Sequence, residues 1–278
     1  AGRTTIAVSW SLTRQDHGEQ TFWLGTVLAA MLGQIGLPGG GVGFGYGSVN
    51  TIGLERPAPD LASLPQGCNP VTAFIPVARI ADLLENPGGS FAYNGGTHSY
   101  PDTRLVWWAG GNPFHHHQDL GRMLRAWRRP ETIVVNEWCW NAMAKHADIV
   151  LPVAAPEERM DFAAGKYDPA LLPMPAIARP PGEAMSEYEI FAALEQRMNL
   201  GSRFSEGLSA RQWVERLWEE TRVEGRRHGD ELPPWDDFIA GDIIELTDPE
   251  PDRIFLSEFR ADPQASPLPT PSGLIELY

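Results

Sequence analysis

Short apolar runs with strand character alternate along this chain with stretches whose apolar positions recur at helical spacing. Thr4–Trp10 is a β-branched run, and after the polar Arg14–His17 the spacing predicts a helix over about Gly18–Ile35, with Asp16 as its N-cap and Leu37–Gly41 as its stop. Residues Asn50–Pro70 are broken by proline and show no period, so they read as an irregular surface excursion. Ile75–Leu84 is predicted helical. Thr103–Ala109 then reads as a buried strand, Gly110-Gly111-Asn112-Pro113 as a turn, and about His115–Arg128 as one helix with Leu120, Met123, Leu124 and Trp127 on a single face. Thr132–Val135 is a second strand, Trp140–His146 a short helix and Asp148–Pro152 a third strand. Continuous apolar strands alternating with helices predict a parallel sheet covered on both faces, so the expected class is α/β, with Rossmann-like sheet units and flanking helices. Beyond Pro156 the pattern weakens. Helices are expected over Glu187–Met198 and Ala210–Glu224, a short strand within Asp252–Phe259, and a proline-rich turn over Pro267–Tyr278. No internal repeat is evident.

Composition narrows the possible functions. Across 278 residues, 42% hydrophobic and 21% charged positions exclude a disordered acidic tail, because such tails bury too little apolar surface to offset chain entropy. Twenty-two Lys and Arg against 36 Asp and Glu leave a net charge of -14, the wrong sign for a sequence-independent phosphate-backbone binder, so no nucleic-acid partner is expected. The longest apolar run, Phe22–Leu32, contains glycine and is about half the length of a membrane span, so no span is expected. Cys68 and Cys139 are the only cysteines, which excludes both a disulfide framework and a four-thiolate cluster within the chain. The chain opens at Ala1 with no signal-peptide pattern, running directly into the first strand-like stretch, and reads as cut from something longer.

Several catalytic signatures can be tested directly. Gly39–Gly47 is glycine-rich, but no register in it satisfies G-x-G-x-x-G, and it follows a helix where the dinucleotide motif precedes one. A loose connection or a closely packed backbone explains it better. Neither G-x-S-x-G nor H-E-x-x-H occurs. His115, His116 and His117 are adjacent on a predicted helix, about 100° apart, so they cannot share one metal ion, and no metal ligand is assigned. The strand–turn–helix around Gly110 is the strongest site, since parallel sheets bind ligands beyond the carboxyl ends of their strands. Gly110 and Gly111 would let a ligand approach the backbone, and the helix that follows would offer unpaired N–H groups to a phosphate. Asn112, His115, His116 and Gln118 add side-chain donors. The next strand ends at Asn136-Glu137, where a carboxylate could accept from a guanine edge or a ribose hydroxyl. The alternative is that Gly110-Gly111 is a turn required by φ and that the histidines are solvated. Trp10 and Arg14 lie past the first strand, where an indole N–H and a guanidinium could hold an oxygen, or where one could be core and the other a solvated loop residue.

Taken together, Ser9-Trp10-Ser11-Leu12-Thr13-Arg14, Gly110-Gly111-Asn112-Pro113-Phe114-His115-His116-His117-Gln118-Asp119 and Lys145-His146-Ala147-Asp148-Ile149-Val150-Leu151-Pro152 resemble the dimethyl sulfoxide reductase family of molybdenum enzymes, in its S-oxide and N-oxide reductase branch. Gly36–Gly41, Glu158-Arg159 and Thr270–Gly273 fall in the same order, so the likeness spans essentially the whole chain. The resemblance implies a bis(molybdopterin guanine dinucleotide) molybdenum cofactor lying in the crevices of two Rossmann-like domains. It also implies that Gly110, Gly111, Asn112, His116 and Gln118 contact one dinucleotide, with Asn136 and Glu137 at its guanosine end. By the same likeness Trp10 and Arg14 line the substrate funnel and orient the substrate oxygen, and Ser11 touches the cofactor. A full-length relative is expected to reduce small S-oxides or N-oxides by oxygen-atom transfer to molybdenum, the cofactor performing the chemistry and the protein supplying binding and orientation.

The resemblance further implies an internal fragment. The serine that ligates molybdenum in this branch belongs to an upstream segment, and the C-terminal barrel is also missing. The partners expected are therefore the missing N- and C-terminal parts of the same enzyme, and the isolated chain is expected not to turn over. Substrate choice, electron donor and compartment are decided in those segments. The expected organisation is residues 1–75 as the end of one Rossmann-like domain, 76–160 as a second that binds guanine dinucleotide, 161–265 as a helical linking region and 266–278 as the entry to the barrel. The rival readings are a formate dehydrogenase or nitrate reductase relative and a nucleotide-binding module without redox chemistry.

Overall fold

The computed structural model describes residues 2–45, 61–165, 170–246 and 254–277. Along the chain the elements are β1 (Thr5–Ala7), α1 (Gly18–Met31), β2 (Gly41–Gly43), α2 (Ile80–Glu85), β3 (Ser90–Tyr93), β4 (Gly96–Ser99), β5 (Leu105–Ala109), α3 (Pro113–His116), α4 (Leu120–Ala126), β6 (Thr132–Glu137), β7 (Ile149–Pro152), β8 (Asp161–Ala163), β9 (Ala170–Met174), α5 (Glu187–Arg197), α6 (Ala210–His228), α7 (Trp235–Ala240), β10 (Ile244–Glu245) and α8 (Ser257–Ala261), with short 3₁₀ turns between some of them. Two compact units form: residues 63–161 with 174–217, and residues 1–62 with 162–173 and 218–278. The class is α/β, as the alternation of apolar runs predicts. Among the described residues no helix is long and apolar enough to cross a membrane.

The unit of residues 63–161 and 174–217 is built on a parallel sheet of order β5-β6-β7, in which Trp107 lies opposite Val134 and Val134 opposite Ile149. Alternation along the strands sorts their side chains to two faces. Val106, Trp108, Ile133, Val135 and Val150 enter an apolar core with Leu83, Leu84, Phe91, Phe114, Met123, Ala126 and Trp127. Arg122 of α4 draws α2 onto this core by donating to Asp82 at 2.5 Å and Glu85 at 2.8 Å. Trp107, Val134, Ile149 and Leu151 line the other face, against Ile190, Ala193 and Leu194 of α5.

Three local features of this unit depart from the sequence reading. The single helix expected over His115–Arg128 is two helices, α3 and α4. Asp119 between them takes a left-handed φ of 46° and accepts the Arg122 N–H at 3.0 Å, so its carboxylate starts a new helix instead of continuing the old one. The helix expected over Trp140–His146 is only a 3₁₀ turn at Ala144–His146, entered through Asn141 Oδ1, which accepts the Ala144 N–H at 3.1 Å. The third feature is the hairpin β3–β4, which helical and strand periodicity alone passes over. Its turn is Asn94-Gly95, with φ of 44° and 78°, the two-residue signature whose positive dihedrals match the twist of paired strands.

In the unit of residues 1–62, 162–173 and 218–278, β1 and β2 pair in parallel and α1 packs over them, with Gly25 against Val8. His17, not Asp16, occupies the N-cap of α1, at φ 53° and with no side-chain cap bond. In the glycine-rich stretch that follows, whose residues 46 and 47 lie outside the described residues, Gly40 is closely packed: a Cβ on it would come within 2.9 Å of the Gln34 carbonyl. Trp218 and Phe238 stack at 3.7 Å, with Phe162 and Trp235 set edge-on or tilted around them. Where a short strand was expected within Asp252–Phe259, the described part is a turn leading into α8, residues 252 and 253 lying outside the described residues. Ser257–Ala261 is helical, and Arg260 from it donates to the carbonyls of Gly33 and Ile35 at 3.0 and 2.8 Å.

Two features yield expected outcomes. Gly110 and Gly111 sit at φ of 77° and 72°, and a Cβ on either would meet nothing within 4 Å, so the constraint there is dihedral and not steric. Gly110→Ala should cost about 1–2 kcal/mol, read from the denaturation midpoint, and Gly110→Asn should recover part of it because asparagine tolerates the left-handed region. Glu195 of α5 is buried, accepting from Ser205 Oγ at 2.6 Å and the Phe204 N–H at 2.5 Å. The Ser205 hydroxyl first, then the Phe204 amide, hold its carboxyl below the usual carboxylate range. A depressed carboxylate contributes stability that is present above its unfolded value and lost as pH falls through the folded one. Glu195→Gln should therefore destabilise at neutral pH, with the gap to the parent narrowing below about pH 4 in acid titrations of unfolding.

Candidate functional site

Parallel strands deliver their carboxyl ends to one edge, and the loops leaving β5, β6 and β7 meet there around a cavity of about 540 Å³. Gly110, Gly111, Asn112, His115 and His116 come from the first loop, Asn136, Glu137, Trp138, Cys139 and Asn141 from the second, and Val153–Pro156 with Arg159 from the third. This is the position at which open α/β sheets bind their ligands.

Backbone and side chains here are arranged as donors. Gly110 and Gly111 form the turn out of β5, both at positive φ, 77° and 72°. The extended helix expected after the turn is short, since α3 has only four residues. Asn112 caps α3, its Oδ1 accepting the Phe114 N–H at 3.0 Å. Asn136 Oδ1 accepts from the Trp107 indole Nε1 at 2.9 Å. Both asparagines are buried, and the Nδ2 atom of each lacks a partner among the described residues. A buried amide nitrogen left unpaired is costly, so its persistence at a cavity wall points to a ligand acceptor that completes it. A phosphate-bearing organic group fits these donors.

The Glu137 carboxylate closes its own loop, accepting from the Trp138 N–H at 3.0 Å and Asn141 Nδ2 at 2.6 Å. A carboxylate has about four acceptor sites, so it keeps capacity for a ligand N–H. Arg159 brings a guanidinium to the wall and is paired with Asp161. His115 and His116 are exposed on α3 and line the cavity.

The expected site residues thus divide. Gly110, Gly111, Asn112, His116, Asn136 and Glu137 meet around one cavity, whereas Gln118 is exposed on the connection after α3 and is not among the lining residues. Trp10, Ser11 and Arg14 belong to the other unit, on a 3₁₀ turn just past the carboxyl end of β1. Ser11 Oγ lies 3.3 Å from Ser9 Oγ, and Trp10 is 54% exposed with its ring edge-on to Phe44 at 5.5 Å. Trp107, Trp138, Cys139 and Asn141 were not foreseen. Trp107 carried the one usable signal: a tryptophan buried in a strand needs an acceptor for its N–H, and Asn136 stands on the neighbouring strand.

Comparison with known proteins identifies the group. The molybdopterin oxidoreductase family model matches residues 2–197. Biotin sulfoxide reductase from Cereibacter sphaeroides is 47% identical over 276 residues, 99% of this chain and 37% of that protein. Dimethyl sulfoxide/trimethylamine N-oxide reductase from the same organism is 43% identical across 100% of this chain and 35% of its own length. Trimethylamine-N-oxide reductase from Haemophilus influenzae is 38% identical over 99% and 35%. The chain therefore spans little more than a third of the length of these curated relatives. Among solved structures, acetylene hydratase from Pelobacter acetylenicus aligns over 64% of this chain and 22% of its own, at 22% identity and a TM-score of 0.40. With the family model matched over more than half the chain and its cavity lined by unpaired donors, this protein belongs to the molybdopterin oxidoreductase family, which implies a molybdenum–molybdopterin cofactor.

Proposed function

We propose that this protein serves in the reduction of S-oxides or N-oxides, and that the cavity beyond β5, β6 and β7 holds one guanine dinucleotide arm of a bis(molybdopterin guanine dinucleotide) molybdenum cofactor. The observation that carries the proposal is that Asn112 and Asn136, two residues lining one cavity beside the left-handed glycines 110 and 111, each hold a buried amide nitrogen with no partner among the described residues. The substrate class follows the relatives, which are named sulfoxide and N-oxide reductases. The partners in this reading are the remaining segments of a longer enzyme.

When bound, the cofactor supplies the two-electron chemistry that removes oxygen from an S-oxide or N-oxide. The chain's own residues bind and orient. The amides of Gly110 and Gly111, with Asn112 and His116, donate to the diphosphate. Asn136 donates to the guanosine end and Glu137 accepts from it. Residues 76–160 form the dinucleotide-binding portion. On the other unit, Trp10 and Arg14 donate to the substrate oxygen through the indole N–H and the guanidinium, and Ser11 contacts the cofactor.

The test is analytical first and catalytic second. Acid-released GMP and molybdenum are measured per chain in the purified full-length gene product, and reduction of biotin sulfoxide, dimethyl sulfoxide and trimethylamine N-oxide is followed with a reduced viologen dye. Two guanine nucleotides per molybdenum, with turnover of at least one of the three, is the expected result. Guanine nucleotide without molybdenum would replace the enzyme by a nucleotide-binding module, and absence of both would remove the proposal altogether. Asn112→Ala should lower GMP content by about tenfold in relative affinity, the scale of one hydrogen bond to a charged acceptor.

A further inference from the structure

Two asparagines on the cavity wall are wired in the same sense. Asn112 is 7% and Asn136 4% exposed. Each spends its Oδ1 on a group that can only donate, the Phe114 backbone N–H for Asn112 and the Trp107 indole for Asn136. A half-turn of either amide would set an NH₂ group against an N–H, donor against donor. Each Nδ2 is therefore turned away from its protein partner, and neither finds another.

Trp107 is the unusual member of this arrangement. Its indole lies on the sheet face against α5, where its ring meets Phe191 at 5.5 Å, and it lines the apolar hollow beneath that helix and not the donor cavity. Its N–H nonetheless reaches across to the neighbouring strand and fixes which way round the Asn136 amide is held.

We infer that Trp107 is a positioning residue that sets base selectivity: by occupying Asn136 Oδ1 it commits Asn136 to present a donor, which suits the O6 acceptor of guanine and opposes the exocyclic amino group that adenine carries in its place. The inference rests on the dinucleotide reading above, in which Asn136 and Glu137 meet the guanosine end. The two residues then complement one base together. Asn136 donates to the acceptor atoms of guanine while Glu137 accepts from its N1–H and N2–H. In Trp107→Phe an aromatic ring remains, smaller than the indole, and the N–H is gone, so the Asn136 amide is free to turn and offer its oxygen to adenine instead.

The experiment titrates GDP and ADP, the actual probes, into the full-length protein produced in a host unable to make molybdopterin, and measures GMP retained per chain in protein from a host that makes it. In the parent, GDP should bind better than ADP. Trp107→Phe should weaken GDP by about five- to tenfold and leave ADP unchanged or tighter, collapsing the ratio. In an Asn136→Ala background, Trp107→Phe should change the ratio less than about twofold, because the residue it acts through is gone. Asn136→Asp, which keeps an acceptor for the indole and replaces the donor with a charge, should lower GDP affinity below that of Asn136→Ala. Unfolding midpoints recorded alongside separate these effects from loss of fold, since a purely structural role for Trp107 lowers both nucleotides together and leaves their ratio alone. A ratio unmoved by Trp107→Phe, with GDP bound and GMP retained in the parent, overturns the inference and leaves the dinucleotide reading standing. No GDP binding and no GMP in the parent overturns both.

Discussion

Parallel pairing of β5, β6 and β7 is the constraint on which the site depends. Strands that run the same way must be joined by crossovers, and their three carboxyl ends necessarily open onto the same edge. Side chains that are far apart in sequence, such as Asn112, Asn136 and Arg159, reach one cavity for that reason alone. The apolar contacts that fix the ladder, Val135 and Ile133 against Met123, Ala126 and Trp127, lie on the face covered by α4. Chemistry at the edge and packing on the face are thereby assigned to different residues of the same strands.

Electrostatics give the cavity its sense of direction. The chain as a whole carries a net charge of -14, yet the cavity beyond β5, β6 and β7 gathers Asn112, Asn136, two histidines and the Arg159 guanidinium beside the carboxylates of Glu137 and Glu187. An acidic protein that gathers donors in one hollow is suited to a discrete anionic ligand and not to a polyanion spread over its surface. Membership of the molybdopterin oxidoreductase family supplies a group of that description.

Much of this was legible in the sequence, for identifiable reasons. The strands β5, β6 and β7 are built on the apolar runs Leu105–Ala109, Ile133–Val135 and Ile149–Leu151, and the glycines at 110 and 111 announce a turn at the carboxyl end of the first. Asn136 and Glu137 were found because they end a strand. Helix continuity was misread between His115 and Arg128, because periodicity continues through Asp119 while the competing cap is a local hydrogen bond that a hydrophobic pattern does not register. Asp16 failed as a cap for the complementary reason: a favourable residue type was present, but the backbone placed His17 at the N-cap. Trp107 escaped notice because its role depends on cross-strand register, which fixes the pairing of Trp107 with Val134 and brings its indole to Asn136. Register is a tertiary fact.

The interruption at Asp119 changes how the cavity rim is joined to the core. Because α3 and α4 are separate helices, the turn carrying His115 and His116 shares no helix axis with Met123 and Trp127, and meets that core through a side chain, the Phe114 ring set edge-on to Trp127 at 5.8 Å. An uninterrupted helix would have transmitted any reshaping of the cavity rim into that core as a rotation of its whole apolar stripe. With the joint in place, a change at the rim reaches the interior as the shift of one ring.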